Sequence, residues 1–296
     1  MALLLCAAPV CVCSRVEAQS EGVVYRPEWR KFGAVDYVVT GAMAAAAVTL
    51  ELTKGGPTEA TWTEPIPYID RPAREVLVGP SREARVRATK ISDALWYASM
   101  AYPVFDVLLT PPLRNSSYVP VWQMTMMNVQ AYAAAALLVR PPQKFIGRTR
   151  PTVVGCKEDP EYSSQCGRNV SLVSFPGGHF AASMTGAGLS CAHHLHGELY
   201  GGGAADVIAC GSALGTASMA GYLRLYADEH WLSDQLIGGA MGLFSGYALP
   251  TLLYYRPFWG DAARRAPVAP AAGALRWSIV PKLTRDTLGM SLLLVQ

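Results

Sequence analysis

The chain has 296 residues, of which 51% are apolar and 16% charged, with a formal net charge of +3. The charged fraction is below the roughly 25% typical of soluble domains, and the small net charge argues against a nucleic-acid partner. The length suits one large domain, or one domain with appendages. Because Ala, Gly, Leu, Val and Met dominate the apolar residues, we predict an all-α helical bundle rather than a β-sandwich.

The chain begins with an apolar run, Ala2–Val12. This run is too short to span a bilayer, which takes about 20 residues. The triplet Val16–Ala18 resembles the small-residue cleavage site of a secretory signal, so we predict a signal peptide over residues 1–18. No basic residue precedes Arg15, however, and a frayed or mis-started N-terminus is the alternative.

Six apolar segments of helical length follow, and several are rich in Gly, Ala and Ser. Such small residues let helix backbones approach closely, especially in membranes. The sequence therefore predicts a bundle of about six helices. The segments are Ala34–Leu50, Ala94–Leu109, Val119–Val139, 181–192, Ala204–Leu225 and Leu232–Tyr254.

Less regular chain flanks the predicted bundle. Residues 19–93 contain the first helix and a long connection, whose five prolines argue against one continuous helix through its first part. The basic run Arg82–Lys90 favours a solvated helix over one on a membrane surface. We place the catalytic bundle at 94–255. Residues 256–296 form an Ala/Pro-rich tail, in which we predict a short hairpin around Asp286–Gly289.

Four cysteines lie outside the predicted signal peptide. Cys156 and Cys166 flank a polar loop, where a disulfide is expected if the compartment is oxidising. A zinc site would need two more ligands nearby, and the sequence shows none. Cys191 and Cys210 fall among small apolar residues, so we predict buried thiols there.

Three polar stretches interrupt the apolar pattern at matching helix ends: Lys144–Pro151, Ser174–Phe180 and 224–235. The first and third carry cations. Arg matches phosphate oxygens with a planar fork, and Lys supplies a point charge. The pattern indicates a phosphate site, and its candidate cations are Lys144, Arg148, Arg150 and Arg224.

The second stretch contains Gly177 and Gly178 directly before His179. The first N–H groups of a helix have no partner inside it and point at any anion placed there. Glycines let this backbone approach such an anion closely. We therefore predict an oxyanion seat with a histidine at its rim.

The third stretch places His230 and Asp234 four residues apart. On a helix they would share a face, and Asp234 would accept the Nδ1 proton of His230. That fixes the tautomer and raises the basicity of the ring, as in a catalytic triad. An imidazole held in this way is a good nucleophile toward phosphorus, and His179 would protonate the leaving group.

In this order the three stretches resemble the type 2 phosphatidic acid phosphatase and vanadium haloperoxidase superfamily, over roughly Ala94–Tyr254. The signatures of that family run Lys-x6-Arg-Pro, Pro-Ser-Gly-His and Ser-Arg-x5-His-x3-Asp. The matching residues here are Arg150-Pro151, Pro176-x-Gly178-His179 and Arg224-x5-His230-x3-Asp234.

The chain departs from these signatures at three positions. Gln143 stands where the pattern has lysine, and Lys144 is one residue closer to Arg150. Leu223 replaces the serine before the arginine of the third signature. Gly177 replaces the serine of the second, which removes a hydrogen bond to phosphate of roughly 1.5–3 kcal/mol. From this loss we expect Gly177→Ser to strengthen phosphate binding.

The resemblance implies metal-independent hydrolysis of a phosphomonoester or diphosphate, without a cofactor. His230 would form a phosphohistidine and His179 would be the general acid, while Arg150, Arg224 and Lys144 would bind phosphate oxygens. The expected substrate is a lipid phosphate of the phosphatidate or isoprenyl diphosphate type. Two alternatives stay open: a vanadate-dependent haloperoxidase, and a non-catalytic helical membrane protein with a vestigial phosphate site.

Three further histidines, His193, His194 and His196, lie just before Gly197. A metal site is one interpretation. The favoured interpretation is a polar helix end, because a glycine often follows the last helical residue.

The apolar segments favour membrane integration, whereas the polar residues inside several of them oppose it, since charges within a span are costly. The resemblance places the site of integral members outside the cytoplasm. A cleaved signal followed by six spans would instead put the site in the cytoplasm. We expect an integral membrane protein of the cell envelope with an extracytoplasmic site, and a soluble periplasmic protein is the alternative.

Overall fold

The computed structural model describes residues 22–53, 55–163, 166 and 172–256, and the backbone of 276–284 and 287–295. The predicted signal peptide lies outside the described residues. The chain divides into two compact units, Met1–Pro257 and Phe258–Gln296.

The first unit confirms the predicted all-α fold. Its six long helices correspond to the six predicted segments, and two short helices, α2 and α5, lie in the polar connections. The last helix continues through two π-helical segments, Phe244–Ala248 and Thr251–Tyr255. The α-helices are α1 Ala34–Leu52, α2 Asp70–Leu77, α3 Arg82–Leu113, α4 Tyr118–Phe145, α5 Thr152–Glu158, α6 Gly178–Gly197, α7 Ala204–Tyr226 and α8 Leu232–Leu243.

Helix α6 is the centre of the bundle and packs against α3, α4, α7 and α8. Small residues make this contact close. A Cβ at Gly186 would lie 2.0 Å from the carbonyl oxygen of Ser99, and one at Gly246 would lie 2.1 Å from that of Thr185. Any side chain at either glycine would therefore push the helices apart. The Gly/Ala/Ser pattern of the sequence has this packing as its consequence.

The predicted boundary at residues 93/94 is wrong, because α3 runs continuously across it and the basic run Arg82–Lys90 forms its first turns. Helix α4 likewise continues past Pro141 and Pro142 to Phe145. A proline removes one backbone N–H, and near a helix end this interrupts few hydrogen bonds. The polar connection therefore contributes to the first unit and is not a separate linker.

The chain enters and leaves the bundle at the same end. Tyr25, Trp29 and Phe32 form an aromatic cluster with Tyr254 and Tyr255. The first helix starts directly after this cluster, and the π-helical extension of α8 ends in it. This end is opposite to the one where α6 and α8 begin.

The structure contains two disulfides, Cys156–Cys166 and Cys191–Cys210. The first joins the two cysteines for which the sequence predicts a bridge. The second corrects the prediction of buried thiols, because the packing of α6 on α7 brings together two cysteines that lie 19 residues apart. Sequence spacing gave no indication of this pairing.

The second unit contains an antiparallel pair of strands, β1 Arg276–Thr284 and β2 Thr287–Val295. Their register runs from Arg276 opposite Val295 to Thr284 opposite Thr287. Residues 285–286 separate the two strands, so β2 begins inside the range Asp286–Gly289 that was predicted as the turn.

The predicted polar helix end is instead a buried network. His194 is fully buried, and its two ring nitrogens lie 2.6 Å from Asp206 and 2.9 Å from Asp106. His193, also buried, contacts Tyr255 at 2.7 Å and Asn128 at 2.8 Å. Within the described chain, no group of three or more His, Cys, Asp or Glu side chains is arranged to hold a metal ion. These histidines connect helices α3, α4, α6 and α7.

Many large apolar side chains on the outside of the bundle are exposed. Val35, Val38 and Leu52 on α1 are each more than 70% exposed. Similar residues lie on the outer faces of α3, α4, α7 and α8. Among the described residues, two helical stretches are long and apolar enough to cross a membrane, Ala34–Leu52 and Leu232–Tyr255. By itself this is weak support for membrane association.

Candidate active site

The ends of α1, α4 and α7 and the start of α6 and α8 meet at one end of the bundle. A cavity of about 480 Å³ opens there, and its wall includes His179, His230, Arg150, Gly178 and Lys144. Residues from all three polar stretches are therefore adjacent to one another. The third stretch contributes His230, and the hydrogen-bond partners of this histidine determine the chemistry of the site.

His230 and Asp234 do not lie on one helix, so the prediction that they share a helical face is wrong. His230 belongs to the turn between α7 and α8, because α8 begins only at Leu232. Its Nδ1 lies 2.7 Å from the carbonyl oxygen of Ser174 and 3.8 Å from Oδ2 of Asp234. The main-chain carbonyl therefore accepts the Nδ1 proton, which leaves Nε2 as the unprotonated nitrogen.

Asp234 acts on His230 indirectly. Its Oδ2 accepts hydrogen bonds from the Ser174 hydroxyl at 2.6 Å and from the N–H of Trp231 at 2.9 Å. It thus caps the start of α8 and holds the residue whose carbonyl orients the imidazole. The predicted orienting role of Asp234 has this two-step form, with Ser174 between the carboxylate and the ring.

Arg148 has a different role from the one predicted. Its side chain is fully buried, and its guanidinium binds Asp234 at 2.5 Å, Asp70 at 2.6 Å and Ser233 at 2.8 Å. The guanidinium also stacks 3.7 Å from the ring centre of Trp62. Arg148 neutralises buried carboxylates and fixes the polar connection to α8, so it is not a phosphate cation.

Arg150 lines the cavity, whereas Arg224 is not part of its wall and approaches it through Asp93, a neighbour of His179; both arginines are paired with carboxylates. Arg150 forms an ion pair with the buried carboxylate of Glu229. Arg224 forms one with Asp93, and its Nε donates to the hydroxyl of Ser92 at 2.9 Å. The charge on each guanidinium is thus fixed in position before any anion arrives.

His179 is the second residue of α6, at the mouth of the cavity. Its Nε2 lies 3.6 Å from Oδ1 of Asp93, and its ring packs edge-on against Trp96 at 4.4 Å between ring centres. The ring is thus held beside a carboxylate and an indole at the start of α6.

The pKa of His230, which lies in the turn before α8, is lowered from its ordinary value. Burial is the main cause, Arg150 and Arg224 add to it, and Asp234 opposes it. A neutral ring with Nδ1 bound to a carbonyl carries its lone pair on Nε2. This is the protonation state that a nucleophile requires.

The glycines of the second stretch are packed tightly. The N–H of Gly177 donates to the carbonyl of Asp234 at 2.9 Å. This amide is therefore already paired, contrary to the prediction that it binds phosphate. The amides of Gly178 and His179 are the first two of α6 and have no acceptor within the helix. Phosphate binding by the Gly178 amide stays a prediction, while Gly177 serves the packing of α6 on α8.

Lys144 lines the cavity, but its Nζ donates to the carbonyl oxygens of Thr53 and Gly55 at the end of α1. A phosphate contact by Lys144 stays a prediction. Gln143, at the position of the signature lysine, donates from Nε2 to the carbonyl of Pro176 at 3.0 Å. The two neighbouring side chains thus contact different segments.

Sequence reasoning missed the carboxylates that hold the site together. Asp228 has a left-handed backbone, with φ of 60°, and binds Arg74 through both oxygens at 2.8 and 2.9 Å. It thereby fixes the turn that carries His230. In the sequence, only Asp228 and Glu229 lie directly beside a predicted site residue, because they immediately precede His230. The acidic residues concerned are Asp70, Asp93, Asp228 and Glu229.

Comparison with known protein families identifies the C-terminal part of the bundle. A family model described as the PAP2 superfamily matches residues 125–258. This range begins in α4, includes all three polar stretches and ends after the last helix. No curated protein and no solved structure matches the chain.

Proposed function

Because residues 125–258 match the family model of the PAP2 superfamily, we propose that the chain is a phosphatase acting through a phosphohistidine on His230. The substrates are phosphomonoesters or diphosphates, and the reaction uses no metal ion. The observation that carries the proposal is the contact of His230 Nδ1 with the Ser174 carbonyl, which presents Nε2 to a cavity lined by His179 and Arg150.

In the first step, Nε2 of His230 attacks phosphorus. An N–P bond forms, the bond from phosphorus to the leaving oxygen breaks, and His179 transfers a proton to that oxygen. The guanidinium groups of Arg150 and Arg224 bind the equatorial oxygens. A phosphate dianion beside His179 attracts a proton to the ring, so substrate binding itself promotes protonation of the general acid.

In the second step, neutral His179 accepts a proton from water. The water oxygen attacks phosphorus, the N–P bond breaks, and inorganic phosphate leaves. His230 recovers its lone pair on Nε2, while its other proton stays on Nδ1, hydrogen-bonded to the Ser174 carbonyl, throughout. The same histidine is thus acid in the first step and base in the second.

We propose lipid phosphates as the substrate class. A large part of the cavity wall is formed by apolar or small side chains from α3, α4 and α6. These include Trp96, Met100, Ala135, Val139 and Ala182. An acyl or isoprenyl chain fits such a wall, whereas a sugar phosphate would leave its hydroxyl groups without partners.

We further propose that the bundle spans a membrane with the site outside the cytoplasm. The exposed apolar side chains on five of the long helices support this, because in water they would form an unusually large apolar surface. Since the chain enters and leaves at the end opposite the site, this orientation requires residue 22 and residue 256 to be cytoplasmic. Cysteine accessibility at positions near 22 and 60 in intact cells tests the orientation.

The function is tested on the full chain in detergent. Wild type should hydrolyse para-nitrophenyl phosphate in EDTA, with orthovanadate as an inhibitor, and should prefer phosphatidate or an isoprenyl diphosphate over a sugar phosphate. His230→Asn should abolish turnover and acid-quenched trapping of ³²P-labelled enzyme. Labelled enzyme or undiminished turnover in this variant would refute the phosphohistidine.

A further inference from the structure

Gln143 occupies the position of the signature lysine, yet it carries no charge. Its Oε1 accepts a hydrogen bond from Nη1 of Arg140 at 3.0 Å, and its Nε2 donates to the carbonyl of Pro176 at 3.0 Å. A Cβ at Gly178 would lie 2.6 Å from the same Nε2. Gln143 therefore connects Arg140, one helical turn earlier, to the loop that forms the phosphate seat.

Arg140 lines the same cavity as His179, His230 and Arg150. A guanidinium positioned in this way adds positive potential at the seat, which the uncharged amide of Gln143 cannot supply.

Arg140 and Lys144 also make other contacts, which bear on which of these two cations can bind phosphate. Nε of Arg140 pairs with Glu51 at the end of α1 at 2.8 Å, and the two side chains are 43% and 59% exposed. Exposed pairs of this kind contribute little to stability, so a phosphate dianion can displace Glu51. Lys144, the neighbouring cation, is instead directed at backbone carbonyls of Thr53 and Gly55.

We propose that Arg140, oriented by Gln143, is the third cation of the phosphate seat beside Arg150 and Arg224, in place of the signature lysine. The inference rests on the proposed function. It assigns Arg140 to binding and Gln143 to positioning, and it explains how the chain keeps its anion site although the lysine is displaced by one residue. Binding exchanges the contact of Arg140 with Glu51 for a contact with phosphate.

The test compares binding of orthovanadate and inorganic phosphate by the full chain in detergent, measured by calorimetry. Arg140→Ala should weaken both by roughly 10- to 100-fold, the range for a lost hydrogen bond to a charged group. Arg140→Lys should lose less. Glu51→Gln breaks the same ion pair and keeps the cation, so it should bind at least as tightly as wild type, because the carboxylate no longer competes with phosphate. Lys144→Ala should lose less than Arg140→Ala.

The double variant Arg140→Ala, Gln143→Lys restores the signature lysine and should recover most of the lost affinity. The proposal is overturned if Arg140→Ala binds like wild type, if Glu51→Gln is equally weakened, or if the double variant does not recover. Because binding is the readout, a wild-type chain that binds vanadate but hydrolyses no ester would refute the proposed function without affecting this comparison.

Discussion

Nδ1 of His230 lies 2.7 Å from the carbonyl oxygen of Ser174, a residue 56 positions earlier in the chain. The hydroxyl of the same serine donates to Asp234 at 2.6 Å. Ser174 therefore contacts the nucleophile through its backbone and the buried carboxylate through its side chain. The orientation of the imidazole depends on where this backbone lies, and Asp234 keeps it there.

This arrangement predicts different outcomes for two neighbouring substitutions. Asp234→Asn leaves Arg148 with one buried carboxylate instead of two, and breaking a buried pair costs about 3–5 kcal/mol. Ser174→Ala keeps the carbonyl that orients His230 and should lower the free energy of unfolding by only about 1 kcal/mol. Thermal unfolding and kcat with para-nitrophenyl phosphate measure both effects. Equal losses of kcat would mean that the hydroxyl, not the carbonyl, controls His230.

Gly177→Ser should lower activity, contrary to what the serine of the family signature leads one to expect. A Cβ at this position would lie 2.6 Å from Oε1 of Gln235, whose side chain is buried, and 3.2 Å from the carbonyl of Asp234. The added atom would displace the buried Gln235 side chain and crowd the carbonyl of Asp234 at the start of α8. Combining it with Gln235→Ala makes room, so kcat/KM should rise again in the double variant. A gain in the single variant would contradict this reading of the packing.

Loss of the general acid should depend on the leaving group. His179→Asn should reduce kcat for an alkyl phosphate by about 10²–10⁴-fold, because the alkoxide needs a proton. Para-nitrophenyl phosphate should lose less, since nitrophenolate leaves without one. The two substrates are compared at one pH in wild type and variant. Equal losses would restrict His179 to phosphate binding or to the second step.

Stability should fall as the pH drops below about 6.5. The pKa of His230 is lowered in the folded chain from its ordinary value of 6.5, so below that pH the unfolded chain binds a proton that the folded chain does not. The free energy of unfolding then decreases by up to about 1.4 kcal/mol per pH unit. Thermal midpoints between pH 7.5 and 5 measure the slope. His230→Asn should have a smaller slope, and an unchanged slope would contradict the assignment.

The buried network at the other end of the bundle should serve stability alone. His194→Gln leaves the buried Asp106 and Asp206 without the ring they share, so we expect the free energy of unfolding to fall by about 3–5 kcal/mol. His196→Gln, two residues later on the partly exposed side of α6, is the matched control and should change little. Residual activity at a permissive temperature should be near that of wild type in both. A large loss of kcat in folded His194→Gln would indicate coupling to the active site.

The sequence by itself determined the helices and the set of chemical groups. Six apolar segments rich in small residues predicted the six long helices, because the spacing of apolar residues is a local property. The order of the three polar stretches predicted that they would meet, and His179, His230 and Arg150 do line one cavity. The positions of helix ends near proline were wrong, since α3 and α4 continue through residues that usually end a helix.

Only the tertiary structure decided which polar groups are partners. Arg148 binds Asp70 across 78 positions, Ser174 binds Asp234 across 60, and Cys191 bridges to a cysteine on the next helix. Nothing in the spacing distinguishes Arg148, which is fully buried, from Arg150, which lines the cavity. Buried charges must find partners, and those partners are brought together by the packing of helices rather than by their distance along the chain.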